Sequence, residues 1–168
     1  TDSLTDAAAV AATSTFGGHT DMNGNNGTTL VLTNYDATTV TFTTDSTKTE
    51  TQSTAVLIGT SGIDTAAKAT QAFHVAFTAA ISAGTLKMTL TPTSYTNETE
   101  ITLTQDGVGA AGNTTITNPA NMYVQGSLLG SSGTTKAFTG GDPPPVVTNN
   151  LLLSGSQHNL RWEISSLN

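Results

Sequence analysis

The order of apolar and polar residues predicts strands along most of the middle of the chain. Leu30 and Leu32, and then Val40 and Phe42, alternate with β-branched residues, and the turn-forming segment 34–37 lies between the two runs. This pattern is typical of a hairpin whose threonines face outward. Further strands are predicted over 54–60, 85–91, 99–104 and 114–117, whereas 118–133 is predicted to be irregular.

One segment departs from this alternation and predicts a long helix over residues 64–83. Asp64 is a candidate N-cap, and Gly84 is a candidate stop signal after the last turn. Apolar residues recur at helical spacing along one face, namely Ala69, Phe73, Ala76, Phe77, Ala80 and Ile81. We expect this face to pack on a sheet through Phe73, Phe77 and Ile81. The predicted fold class is α+β and β-rich, with a mixed or antiparallel sheet of at least five strands, one long packed helix and terminal extensions.

Three parts of the chain differ in composition. Residues 1–27 are predicted to form an N-terminal arm, because an Ala-rich piece is followed by a loose stretch rich in Asn and Gly. Residues 28–141 form the predicted β-rich core domain, which ends at a Gly-rich turn and the closing Phe138. A stiff proline run then opens a C-terminal extension over 142–168.

The C-terminal extension is dense in apolar residues and carries two short predicted strands, over 146–154 and 160–164. Its large apolar residues are Leu151, Leu152, Leu153, Leu160, Trp162 and Ile164. A proline-linked apolar extension packs either on its own core or on a neighbouring subunit. The sequence leaves both alternatives open, and we expect contacts with other subunits from this extension and from the arm.

Composition narrows the classes of function. About a fifth of the residues are threonine, there is no cysteine, and 10% are charged, against about 25% in an ordinary soluble domain. The net charge is −7, and the five basic residues are scattered: Lys48, Lys68, Lys87, Lys136 and Arg161. Binding to nucleic acid or to an anionic membrane needs clustered basic side chains, so neither is expected. The absence of cysteine removes disulfides, thiol catalysis and thiolate metal sites.

The segment 21–25 has the opening spacing of a calcium-binding loop, with oxygen-bearing side chains at Asp21, Asn23 and Asn25. The match then fails. Asn26 occupies the position of the sharp-turn glycine, and Leu32 occupies that of the closing bidentate glutamate. We therefore interpret this segment as a solvated turn.

Other candidate chemistry is also weak. The three histidines, His19, His74 and His158, share no metal-ligand spacing. Glu98 and Glu100 are two residues apart in a predicted strand, which places them on one face, and a solvated strand edge explains them. The Gly-rich segment 107–113 lacks the lysine of a phosphate-binding loop. We therefore predict no catalytic, cofactor-binding or metal-binding residues, no cofactor, and no enzymatic activity.

From Leu30 to Gly141, about two-thirds of the chain resembles a module of structural proteins in tailed bacteriophages, especially marine ones. The resemblance covers the hairpin TLVLTNYDATTVTFTT, the helix TAAKATQAFHVAFTAAISAG, the stretch ITLTQDGVGAAGNTTIT and the closing FTGG. Its signature residues here are Leu103, Thr104, Gln105, Gly109, Gly112, Asn113, Thr114, Ile116, Phe138, Gly140 and Gly141. The arm and the tail after Pro145 lie outside it.

The resemblance implies a virion structural protein, either a capsid decoration protein or a subunit of the tail or of a fibre. Its expected partners are copies of itself and other virion proteins, and its expected location is the virion. The low charge fits surfaces covered by neighbours, because Lys, Glu and Asp are depleted at interface cores. The alternative is an extracellular cell-surface or filament β module of the adhesin type.

Overall fold

The structure, a computed structural model, describes residues 8–117, 122–124, 127–129 and 135–143. The described residues form one α-helix, α1 (Ala66–Ser82), and ten strands. The strands are β1 Ala11–Gly18, β2 Thr29–Thr33, β3 Thr39–Thr49, β4 Leu57–Ser61, β5 Met88–Thr91, β6 Ile101–Val108, β7 Thr115–Thr117, β8 Met122–Val124, β9 Ser127–Leu129 and β10 Thr135–Ala137.

The strands form two five-stranded sheets. Sheet 1 has the order β5-β6-β1-β8-β9 and is antiparallel throughout. Sheet 2 has the order β10-β7-β2-β3-β4 and is mixed, because β3 and β4 run parallel. The predicted β-rich α+β class with one packed helix is confirmed, with two sheets where the sequence indicated one.

The β2–β3 hairpin follows the predicted alternation. Leu30 pairs with Phe42 and Leu32 with Val40, and all four side chains are buried. The alternate pairs lie on the opposite face: Thr29 with Thr43, Val31 with Thr41, and Thr33 with Thr39. The threonine face of this hairpin therefore points outward, as predicted.

Helix α1 begins two residues later than predicted. Thr65, rather than Asp64, is the N-cap, and its side chain accepts a hydrogen bond from the Lys68 backbone N–H at 3.2 Å. The carboxylate of Asp64 instead forms an i,i+4 ion pair with Lys68 at 2.9 Å. At the other end Gly84 has a φ of 71°, which confirms it as the stop signal.

A cluster of phenylalanines joins the helix to both sheets. Phe77 of α1 packs edge-on against Phe16 of sheet 1 and Phe42 of sheet 2, with ring centroids 5.4 and 5.3 Å apart. Phe73 and Phe77 are buried as expected, whereas Ile81 is only partly buried. Phe138, predicted to close the core, is fully buried beside Phe16.

The segment predicted as an N-terminal arm contains a central strand. Ala11–Gly18 forms β1, which lies between β6 and β8 in sheet 1. Its core-facing residues include Ala12 and Ser14, which are too small to give an apolar alternation that marks a strand. At the end of β1 a glycine is needed because α1 crosses closely: a Cβ on Gly18 would lie 2.1 Å from the Cβ of Ala69.

Two further segments differ from the prediction. The Gly-rich turn predicted from Gln105 begins later, because β6 continues to Val108, and the 3-10 turn Ala110–Gly112 follows. The stretch 118–133, predicted to be irregular, contributes β8 and β9. The two strands predicted in the C-terminal extension lie outside the described residues.

Candidate functional site

The two ends of the described domain lie side by side. The backbone N–H of Val10 donates to the carbonyl of Asp142 at 3.1 Å, and Thr13 and Thr139 exchange two backbone hydrogen bonds at 2.9 and 3.1 Å. Residues 139–142 thereby extend sheet 1 along the first half of β1. The chain outside this domain therefore leaves from one place, at residues 8 and 143.

Signature residues of the resemblance hold this junction. Asn113 brackets Gly141 with two hydrogen bonds: its Nδ2 donates to the Gly141 carbonyl at 2.9 Å, and its Oδ1 accepts from the Gly141 N–H at 3.0 Å. A Cβ on Gly141 would lie 2.4 Å from the carbonyl oxygen of Gly109. Gly109 in turn donates to the Val10 carbonyl at 2.8 Å. These residues therefore have a structural role in closing the domain.

Two buried amide side chains fasten the β2–β3 hairpin to sheet 1. Gln105 is 1% exposed; its Oε1 accepts from the Tyr35 N–H at 2.9 Å, and its Nε2 donates to the Thr33 carbonyl at 2.9 Å and to Thr114 Oγ1 at 2.8 Å. Asn34 is fully buried and binds the Thr85 carbonyl and the Lys87 N–H. Both amides use their donor and acceptor atoms within the fold, so neither is available to a ligand.

An ion pair lies on the outside of the same junction. The Lys87 ammonium contacts the Asp36 carboxylate. Hydrogen bonds from Lys87 and Thr38 lower the pKa of Asp36 from 3.8 to about 2, and the Asp36 carboxylate raises the pKa of Lys87. Each partner is thereby held in its charged form. This stabilises the ion pair, whereas a proton-transfer group needs a pKa near the working pH.

The outer surface of sheet 1 carries six regularly placed threonines, which we call the threonine face: Thr13, Thr15, Thr89, Thr91, Thr102 and Thr104. They form two rows across three strands, because β6 pairs Thr104 with both Thr13 and Thr89, and Thr102 with both Thr15 and Thr91. Asp106 is the one charged residue in β1, β5 and β6. The result is a nearly uncharged outer surface of short hydroxyl side chains.

The segment resembling a calcium loop is folded around protein hydrogen bonds. Met22 is buried, and His19 caps the 3-10 turn Thr20–Met22 by accepting from the Asp21 N–H at 3.2 Å. The side-chain oxygen of Asn23 accepts from the Gly62 N–H, and that of Asn25 accepts from the Thr28 hydroxyl. Two of the three oxygens with calcium-loop spacing are therefore engaged by donors of the protein itself.

The two histidines that the structure describes lie in different elements. His74 is buried on α1, where its Nε2 lies 3.0 Å from the Pro92 carbonyl oxygen and its ring contacts Tyr95 at 5.5 Å. His19 lies in the turn before β2, and His158 lies outside the described residues. Across the described part of the chain, no three His, Asp or Glu side chains come together as metal ligands would.

The two neighbouring glutamates, Glu98 and Glu100, lie in different surroundings. Both precede β6, and Glu98 accepts hydrogen bonds from the backbone and hydroxyl of Thr96, which lower its pKa. Glu100 is exposed beside a small hollow of about 200 Å³ that Gly18, Ala66 and Thr99 complete. A general acid would need a raised pKa, so the environment of Glu98 is opposite to that requirement.

The described residues thus offer a nearly uncharged threonine face and bring Val10 and Asp142 together, and their buried amides at Asn34 and Gln105 are committed to the fold. None of the described helices is long and apolar enough to span a bilayer. No family model matches the chain, and no curated protein and no solved structure is significantly similar to it.

Proposed function

We propose that this chain is a structural protein of a tailed-bacteriophage virion, either a capsid decoration protein or a subunit of the tail or of a fibre. It would act by binding copies of itself and other virion proteins rather than by catalysis. The observation that carries the proposal is the junction of Val10 with Asp142, where both ends of the domain emerge together. A body with two extensions at one end can engage neighbours through both of them at once.

Two further observations support this proposal. The threonine face presents little charge, and charged residues are depleted where subunits meet. The signature residues of the bacteriophage resemblance, Gln105, Asn113 and Gly141 among them, join separate parts of the domain through hydrogen bonds. The residues that carry the resemblance therefore stabilise the fold of the domain, and a stable, repeated fold is what a virion subunit needs.

Truncation of the C-terminal extension tests the proposal. The full chain should form symmetric multimers, visible by light scattering and negative-stain electron microscopy, and deletion of 146–168 should leave a folded core that no longer assembles. A full-length control, Leu152→Ser with Trp162→Ser, keeps the length and should also lose assembly, because each large side chain contributes roughly 1.5–3 kcal/mol when buried. A full chain that stays monomeric, or a truncated chain that assembles normally, would contradict the proposal.

The alternative, an extracellular filament or adhesin-like module, is favoured by the same low-charge threonine face. The two functions differ in the symmetry of their assemblies. Head-to-tail contacts that do not close give open filaments, whereas a ring or a capsid-bound cluster is closed. Images that show closed rings support the virion protein, and images that show unlimited filaments support the surface module.

A further inference from the structure

A groove runs along the β5 edge of sheet 1, between β5 and helix α1. Its helix side is formed by Thr78, Ile81 and Ser82, whose i, i+3, i+4 spacing places them on one stripe. Its other side is formed by three consecutive strand residues, Met88 to Leu90, together with Thr93. Successive side chains of a strand point to opposite faces of the sheet. Three consecutive residues therefore line one groove only where the groove runs along the backbone of the strand.

The backbone of β5 is oriented for hydrogen bonding along this edge. The Asp106 N–H donates to the Lys87 carbonyl, which places Lys87, one residue before β5, opposite Asp106 at a hydrogen-bonding position of the ladder. By alternation, Met88 and Leu90 are the non-hydrogen-bonded positions opposite β6, and their N–H and C=O groups point away from it. No described residue hydrogen-bonds to those groups, and β5 itself contains neither a charge nor a proline that would block strand addition.

The β4 edge of sheet 2, in contrast, is covered by protein hydrogen bonds. There Gly24 donates to the Thr60 carbonyl of β4 at 3.0 Å, and the Thr60 hydroxyl donates to the Asn25 carbonyl. The loop before β2 therefore covers the β4 edge with its own hydrogen bonds. Among the described residues, nothing performs the same function for β5.

The size and chemistry of the groove indicate what it accepts. Its volume of about 220 Å³ is below the roughly 300–1,000 Å³ of small-molecule pockets, and its lining is uncharged, with Ile81, Met88 and Leu90 as the apolar residues. An extended peptide that adds a strand to the edge would satisfy the outward backbone groups and place alternate apolar side chains against α1. The ligand is therefore an uncharged, apolar strand.

The chain itself contains such a segment. Residues 146–153 are uncharged and include two valines and three leucines. They follow the prolines 143–145, and three consecutive prolines are typical of a stiff, extended spacer of about 9 Å. Residues 144–153 alone reach up to about 35 Å beyond Pro143 when extended.

We propose that the groove between β5 and α1 binds residues 146–153 of a second copy of the chain as an added β-strand. This inference rests on the proposed function, because it names the surface through which the repeated subunits are joined. Each subunit then receives a strand from one neighbour and donates its own to another, which is a head-to-tail contact.

Cysteine cross-linking tests the inference directly, since the natural chain has no cysteine. Full-length Thr78→Cys, placed on the groove rim, is mixed with a size-tagged Asn150→Cys variant and oxidised. We expect mixed-size disulfide dimers in at least about tenfold excess over those formed when Thr41→Cys, on the exposed face of sheet 2, replaces Thr78→Cys, because a disulfide requires Cα atoms about 4.4–6.8 Å apart. Equal yields from the two positions would overturn the inference.

A double variant, Thr78→Cys with Asn150→Cys, distinguishes the source of the strand. An intrachain disulfide in dilute solution would mean that the groove holds the chain's own extension and would overturn the second-copy assignment. Thr78→Glu supplies an independent measurement: a charge at the uncharged rim should weaken self-association at least about tenfold, whereas Thr41→Glu should not. A chain that never self-associates contradicts the proposed function as well, whereas normal assembly of Thr78→Glu contradicts the groove alone.

Discussion

Replacing Phe77 with alanine should destabilise the domain more than any other single truncation on the helix. Phe77 is fully buried, and its ring contacts Phe16, Phe42 and Phe73 at centroid distances of 5.4, 5.3 and 5.9 Å. Truncation of a buried phenylalanine costs about 3–5 kcal/mol. Each edge-on ring pair contributes about 0.5–1.5 kcal/mol beyond the buried area, so we expect a value near the top of that range.

Urea unfolding followed by circular dichroism measures this loss. A cost of about 4 kcal/mol with a denaturant slope of about 2 kcal/mol per molar shifts the midpoint by about 2 M. Ile81→Ala is the matched control on the same helix, and because Ile81 is only partly buried it should lose less than half as much. The reasoning is refuted if Phe77→Ala costs less than about 1.5 kcal/mol, or if the two variants lose equal stability.

Four further predictions concern polar groups. Gln105→Met should cost about 1–3 kcal/mol in the same urea experiment, because it leaves the buried junction without the amide that Tyr35 and Thr33 bind; an unchanged midpoint would contradict this. Ser14→Ala should be neutral or stabilising, since the Ser14 hydroxyl is buried and has no hydrogen-bond partner among the described residues; a clear loss of stability would contradict this. The lowered pKa of Asp36 adds stability above pH 3.8 that is lost as the pH falls through about 2. The melting temperature of Asp36→Asn should therefore depend less on pH in that window than that of the unsubstituted chain, and an equal pH dependence of the two would disprove this. Calorimetry should find no micromolar calcium affinity at Asp21, and such an affinity, abolished by Asp21→Ala, would refute our interpretation of that loop.

The elements that could be predicted from the sequence are those with a strong and local period. The alternation at Leu30, Leu32, Val40 and Phe42 predicted the β2–β3 hairpin, and the helical spacing around Phe77 predicted α1 to within two residues at its start. In both cases the buried residues are large and apolar. The spacing of buried positions can therefore be recognised in the amino-acid sequence.

The elements that could not be predicted depend on contacts between distant residues. β1 uses Ala12, Ser14 and Gly18 on its covered face because α1 and the neighbouring strands approach closely, and small residues carry no apolar period. Asn34 looks like an ordinary turn residue, and its burial follows from β5 lying beside it. The groove has no local signal, because its two sides come from a helix and a strand that meet only in the folded domain.

The hydrogen bond between Val10 and Asp142 holds the two ends of the domain together, which suits the domain to insertion into another protein. Because the entering and leaving backbones are one strand spacing apart, roughly 5 Å, a loop of another protein could carry the whole domain without separating its own two ends. For the same reason, a short linker could join residues 8 and 143 and allow new ends to be opened elsewhere, for example in the exposed turn at Asn97, where φ is 105°. In both arrangements the joined chain replaces the two extensions, so cargo attached to such new ends would be carried by the domain alone.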